Sequence, residues 1–271
     1  MRRQHRILAS LMLCLASLCV NTTVHANRLS ADNAAPRSRV VTTGNQIPTF
    51  AKKVERAAAE RGAKVLLVSR IGRPPESLPK DIRYTHTGIA VYSQIKRADG
   101  SDGRGYVMYN LYQDAQAPTR SYLRRDFVAD FFADVAVLEA GVAVPVPALQ
   151  HKLQKILASS AYAAMHNPAY SAVSNPFDPA FQNCNEFVLD VINAALYDTT
   201  KTAQLKANAA AYFDAQTIEV NPLRLLVGAL FEPDIRMADH HGEPLATATF
   251  GSLVAYLRKF DLLAEHFVVT P

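Results

Sequence analysis

Cysteine is nearly missing from this 271-residue chain once its start is set aside. Cys14 and Cys19 lie in an apolar stretch near the N-terminus, and Cys184 stands alone beyond it. If that stretch is removed, no intramolecular disulfide can form, even in a compartment that favours them. Long apolar runs are also lacking: after Val20 none approaches the roughly 20 residues that cross a bilayer. Nor is there an excess of one charge. The chain carries 29 basic and 24 acidic residues, but Arg2, Arg3 and Arg6 belong to the N-terminal stretch, and the balance without them is 26 to 24. Near-neutrality excludes the electrostatic footprint of a DNA- or RNA-binding protein. There is no internal repeat and no low-complexity tract.

What is present at the N-terminus has the pattern of a secretory signal peptide. A basic start precedes an apolar run from Ile7 to Val20, and Val24, His25 and Ala26 supply a small-residue cleavage site, so residues 1–26 are expected to be removed after Ala26. That places the protein outside the cell or in the periplasm, with no stable membrane insertion after cleavage. Residues 27–47 are polar and aperiodic and are expected to form a flexible lead-in. Residues 48–271 then form a single domain, long enough for one full core.

Periodicity within that domain predicts α+β architecture, a small antiparallel sheet packed between helices. Helices are expected at 49–61, 119–133, 147–165, 184–197, 201–213, 222–230 and 250–259. Strands are expected at 63–70, 83–92, 106–113 and 135–147, with a short one at 264–269. The turn-rich "ADGSDGRG" at 98–105 should close a hairpin between the second and third strands. A proline-rich loop follows the first strand at 72–80, and another loop fills 166–182.

The lone thiol lies in "FQNCNEFVLDVINAAL", residues 181–196. Asn183 is a favoured N-cap residue with Glu186 three positions on, the spacing of a capping box. Cys184 would then occupy the first helical position, where free N–H groups and the positive helix end favour a thiolate. Phe187, Val188, Val191, Ile192 and Ala195 form an apolar stripe, while Asn185, Glu186, Asp190 and Asn193 are expected to face away. The bland alternative is a small buried hydrophobe, a common fate of free cysteine.

A nucleophilic thiol needs a base. Of the histidines beyond the leader, His151 falls opposite the apolar stripe of its helix, His166 is in a loop, and His266 is on the terminal strand. His240 and His241 share a loop with Asp239, but their spacing matches no metal-ligand motif, so neither a metal nor a cofactor is expected. His86, in "THTGIAV", lies on a strand with Gly88 on the same face, leaving bare backbone that could receive a helix end. Asn110, in the neighbouring strand, could hydrogen-bond the ring and fix its tautomer.

"NCNEFV" (183–188) resembles the nucleophile motif of the NlpC/p60-type papain-like fold, and "HTGIAV" (86–91) resembles the histidine strand of the same group. "MYNL" (108–111) falls where that group carries its third polar residue. The order His86, Asn110, Cys184 is inverted relative to the usual enzymes and is similar to the circularly permuted branch that includes lecithin:retinol acyltransferase-like proteins. The overall layout also resembles an uncharacterised family of secreted bacterial proteins. The resemblance implies a thiol hydrolase or acyltransferase acting through Cys184, His86 and Asn110 on an amide or ester, by way of an acyl-enzyme. Its substrate would be a peptide, a cell-wall fragment or an acylated small molecule. The Cys184 backbone N–H is expected in the oxyanion hole with Gln182 as a candidate second donor, and Tyr84 is expected to line the cleft from the His86 face. The competing expectation is a non-catalytic binding or structural protein of the cell envelope on the same fold.

Overall fold

The computed structural model describes residues 45–96, 100–219 and 234–271. The leader, most of the lead-in and the helix expected at 222–230 lie outside the described residues. The described residues belong to one compact unit.

The architecture is α+β. Six antiparallel strands form one sheet: β1 (Val65–Ile71), β2 (His86–Lys96), β3 (Asp102–Gln113), β4 (Ser121–Phe127), β5 (Val137–Pro145) and β8 (Leu263–Val269). Their spatial order is β4-β3-β2-β1-β5-β8. A two-stranded ribbon, β6 (Gln216–Thr217) with β7 (Ala246–Thr247), lies apart from it. The expected hairpin forms, with Ile89 opposite Tyr109 and Lys96 opposite Asp102.

The continuous apolar run of β1 has a direct cause. Both faces of this strand are covered, so alternation of polar and apolar residues is not required. Leu66 and Val68 join Phe50, Ala51, Val54 and Ala58 of α1 (Gln46–Glu60) on one face. Val65 and Leu67 join the helices α3 (Pro147–Leu157), α5 (Cys184–Tyr197) and α7 (Phe250–Lys259) on the other. Each fully buried leucine or isoleucine in such a layer contributes roughly 1.5–3 kcal/mol relative to exposure.

Three expectations are corrected. Residues 119–133 are not one helix: β4 pairs with β3 from Gln113–Ser121 to Val107–Phe127, and only the single turn α2 (Val128–Phe131) is helical. The open edge of β3 captures the segment. Asp114 Oδ1 accepts the N–H of Gln116 at 2.8 Å, and this Asx-turn reverses the chain. The helix from Pro147 stops at Leu157, and a separate turn, α4 (Ala161–Ala164), follows Ser159 and Ser160. At the start of the domain, α1 reaches back to Gln46, inside the stretch read as lead-in.

α5 is the largest departure from the expected pattern. Its polar residues do not face solvent: Glu186 and Asn193 are 0 % exposed and Asp190 is 2 % exposed. The helix is buried all round because α6 (Thr202–Tyr212) and α7 cover the side turned away from the sheet. Lys206 of α6 meets Glu186 Oε1 at 2.5 Å and Asp190 Oδ2 at 3.1 Å. Tyr256 of α7 donates to Asn193 Oδ1 at 2.9 Å. Burial pushes the Glu186 and Asp190 carboxyls up and the Lys206 charge pulls them back down.

Candidate functional site

Cys184 is the first residue of α5, and Asn183 caps the helix in extended conformation, accepting the Glu186 N–H at 2.9 Å. Only half of the expected capping box forms, because the Glu186 carboxylate turns to Ser174 and Lys206. The helix start docks on the first residues of β2: Thr87 Oγ1 donates to Asn185 Oδ1 at 2.6 Å, and Thr87 Oγ1 lies 2.9 Å from Ser69 Oγ. The Cys184 sulfur lies against the main chain on either side of His86. Sγ is 4.0 Å from the Thr85 carbonyl oxygen, and the Thr87 N–H points towards it.

His86 opens β2, but its ring lies on the opposite face of that strand from α5. It stacks on Tyr112 with ring centroids 4.9 Å apart and 12° between planes, and packs on Phe131 at 5.4 Å. Asn110 lies on the same face and fills the space above Gly88, where a Cβ would fall 2.2 Å from Asn110 Oδ1. The bare patch at Gly88 therefore receives the Asn110 side chain and not the helix end that the sequence reading placed there. α5 packs on the other face, against Ile89 and Val91. Beyond Asn110 the face continues into a buried carboxylate, since Asn110 Nδ2 donates to Asp126 Oδ2 at 3.3 Å. Arg124 Nε is 2.6 Å from Asp126 Oδ1.

One cavity of about 580 Å³ wraps the start of β2 and is lined by both His86 and Cys184. No hydrogen bond joins the thiol to the imidazole in this conformation. His86 Nε2 is buried without a hydrogen bond, and the ring lines the cavity. Burial, helped by the Arg70 charge, lowers the His86 pKa to about 3, and Asn110 opposes that shift. The thiol also departs from the expected thiolate. Burial pushes Cys184 up, and the N–H groups of Thr87, Asn185 and Cys184 itself only partly offset it. The resting groups are a neutral thiol and a neutral ring.

Gln182 is not placed as an oxyanion donor. Its Nε2 is spent on Asp190 Oδ2 at 2.8 Å and the Met165 carbonyl at 3.2 Å, and its Oε1 accepts the Asn167 N–H. Asn185, next to Cys184, brings a second free helix-end N–H to the sulfur instead. Tyr84 does line the cavity, but it precedes the strand and so escapes the two-residue alternation. It packs on Phe250 from the α5 side and donates to Glu139 Oε1 at 2.8 Å.

Sequence reasoning missed two residues. Tyr170 lines the same cavity, and burial raises its phenol, helped by the nearby Cys184 and Asp234. Asp126 was hidden because its segment read as a helix, which puts it on no sheet face. Neither His240 nor His241 takes part: His240 Nε2 lies 2.9 Å from the Val173 carbonyl and His241 Nε2 lies 2.9 Å from Asp178. His166 lies 3.0 Å from Ser121 Oγ, and His151 and His266 are exposed.

The arrangement of a helix-end thiol, a strand imidazole and a cavity between them invites comparison with known proteins. A family model described as "Uncharacterized protein conserved in bacteria (DUF2145)" matches residues 57–257. The chain belongs to this family. The matched region runs from α1 to α7 and includes His86, Asn110, Asp126 and Cys184. No curated protein and no solved structure matches the chain. Among the described residues no helix is long and apolar enough to cross a membrane.

Proposed function

We propose that this DUF2145 protein is a secreted or periplasmic thiol-dependent hydrolase or acyltransferase of permuted papain-like type, acting on an amide or ester. The observation that carries the reading is the position of the Cys184 sulfur, at a helix N-terminus, on the main chain that flanks His86, and on a cavity that both residues line. The motif resemblance of "HTGIAV" and "NCNEFV" supports it.

The chemistry starts from a neutral pair. A substrate carbonyl enters the cavity, and a turn of the Cys184 side chain brings Sγ towards Nδ1 of His86. The ring takes the thiol proton as sulfur attacks. On this reading the Cys184 and Asn185 N–H groups, which point at the sulfur, would serve the tetrahedral oxyanion, and such donors are each worth about 3 kcal/mol in known enzymes. His86 then passes the proton to the leaving group, and water or another acceptor releases the acyl group. Peptide or acylated cell-wall material is the substrate class this chemistry would serve in the cell envelope.

The test compares the protein with its Cys184→Ala variant on purified cell-wall fragments and on acylated lipids, following product and the intact mass of the protein. Wild type should release product and carry a transient acyl adduct, and the variant should do neither. Equal product from both proteins would exclude thiol chemistry on those substrates. The thiol and the ring are both neutral and not bonded to each other, and this favours a second reading, a non-catalytic binding protein. That reading predicts binding of the same materials with no adduct on Cys184.

A further inference from the structure

We infer that Asp126 is a positioning residue: through Asn110 it holds the His86 ring in the tautomer that keeps Nδ1 free to take a proton. The role in a reaction rests on the thiol-base reading above, but the tautomer itself does not.

The argument begins with what each group can donate. An ionised carboxylate only accepts. Asp126 is buried in β4 and lies 3.3 Å from one end of the Asn110 carboxamide. That end must therefore be the NH2, since a carbonyl oxygen there would face a carboxylate oxygen at close range. The amide orientation, which is ordinarily a matter of inference, is fixed by this partner. Oδ1 is then forced to the opposite side, over Gly88 and next to the ring.

Asn110 Oδ1, His86 Nε2 and Asp126 Oδ1 are buried at this place without a well-formed hydrogen bond; Arg124 Nε answers Asp126 Oδ1 at 2.6 Å, which leaves the first two as orphans. Buried polar groups are rarely left unpaired. Asn110 is also the residue whose hydrogen bond favours the protonated ring. The two orphans complement each other if Nε2 carries the proton and donates to Oδ1. A neutral imidazole has one N–H, so Nδ1 keeps its lone pair. Arg124 Nε, at 2.6 Å from Asp126 Oδ1, pairs with the carboxylate at the far end of the chain. The order is Arg124, Asp126, Asn110, His86, each group setting the orientation of the next.

This makes a sharp expectation for Asp126→Asn. The new amide can donate to Asn110, which allows the Asn110 carboxamide to turn over and present its NH2 to the ring. Nε2 would then accept, and the proton would move to Nδ1.

The experiment is long-range 1H–15N correlation on the 15N-labelled full chain, with the His86 signals assigned by their loss in His86→Gln. The wild-type ring should be found in the Nε2–H form alone. A wild-type ring in the Nδ1–H form, or an even mixture, overturns the proposal without need of any variant. Asp126→Asn should introduce the Nδ1–H form, and an unchanged spectrum in a folded variant also overturns it. Once a substrate is in hand, the same variant should lose about tenfold to a hundredfold in kcat with little change in KM, as outer partners of oriented histidines do elsewhere. A correct tautomer with no turnover by wild type would sink the enzyme reading and leave the relay standing.

Discussion

Asn110 Oδ1 occupies the place where any residue other than glycine at position 88 would put its Cβ, 2.2 Å away. Something must shift, and the nearest group is the Asn110 carboxamide, since the Met108 methyl ends a flexible side chain that can give way. The Met108 methyl is 3.0 Å from the same point, and the Asn110 carboxamide carbon is 3.2 Å from it. Gly88→Ala must therefore displace Asn110 from between His86 and Asp126. Overpacking of this kind costs about 1–3 kcal/mol. The fold should survive, with a lower urea midpoint, and if the proposed thiol chemistry holds, turnover should fall far more than stability does. A variant with full turnover would mean that Asn110 does not act through the ring.

His86 makes a separate prediction through linkage. Its folded pKa is lowered from 6.5 to about 3, chiefly by burial. A lowered folded value means that the unfolded chain binds the proton more readily between those two values. The contribution is present above pH 6.5 and is lost as pH falls towards about 3. Its steepest slope is about 1.4 kcal/mol per pH unit. Urea melts of wild type and His86→Gln between pH 7 and pH 4 should converge as acid is added, because only the wild type has this proton to take up. Parallel curves would show that the ring is as easily charged folded as unfolded.

The raised pKa of Cys184 reverses the reactivity first expected of a helix-end thiol. Alkylation by a small uncharged reagent should be slow at neutral pH and climb above the ordinary thiol value of about 8.5. His86→Ala should leave that free-protein profile nearly unchanged, since the resting ring is neutral and holds no ion pair. Rapid alkylation persisting below pH 7, abolished by His86→Ala, would instead reveal an ion-paired thiolate.

Most of the sheet was legible because its signals are local. β1, β2, β3, β5 and β8 each carry β-branched or aromatic runs bounded by turn residues, and the helix start at Asn183 is written in a single residue. β4 was not legible. Leu123, Phe127, Val128 and Phe131 fit a helical stripe as well as a strand, and the choice is made by the open edge of β3, which no window of sequence contains. The site was half legible for a related reason. The residue types at positions 86, 110 and 184 announce chemistry, but which face of β2 receives α5 depends on what fills the space above Gly88. Asp190 and Glu186 read as solvated because nothing local says that Lys206, sixteen and twenty residues on, folds back to meet them.

That buried cluster supplies the last prediction. Lys206 is 6 % exposed and serves two carboxylates, with Gln182 donating to Asp190 and Ser174 donating to Glu186. Removing the ammonium strands two acids in the interior, and breaking a buried ion pair from one side costs about 3–5 kcal/mol. Lys206→Met should therefore be among the most damaging single changes in the chain. Its deficit has a pH signature. Without the ammonium both carboxyls favour the protonated form still more when folded, so the stability of the variant is greatest below their unfolded values near pH 4 and is lost as pH rises. Urea melts at pH 7 and pH 4.5 should show the gap to wild type shrinking in acid. Adding Glu186→Gln and Asp190→Asn to Lys206→Met should recover much of the loss at pH 7, because neutral amides no longer need the cation. If the single variant matches wild type at pH 7, the cluster is not an isolated buried charge network and α5 is held by its apolar contacts alone.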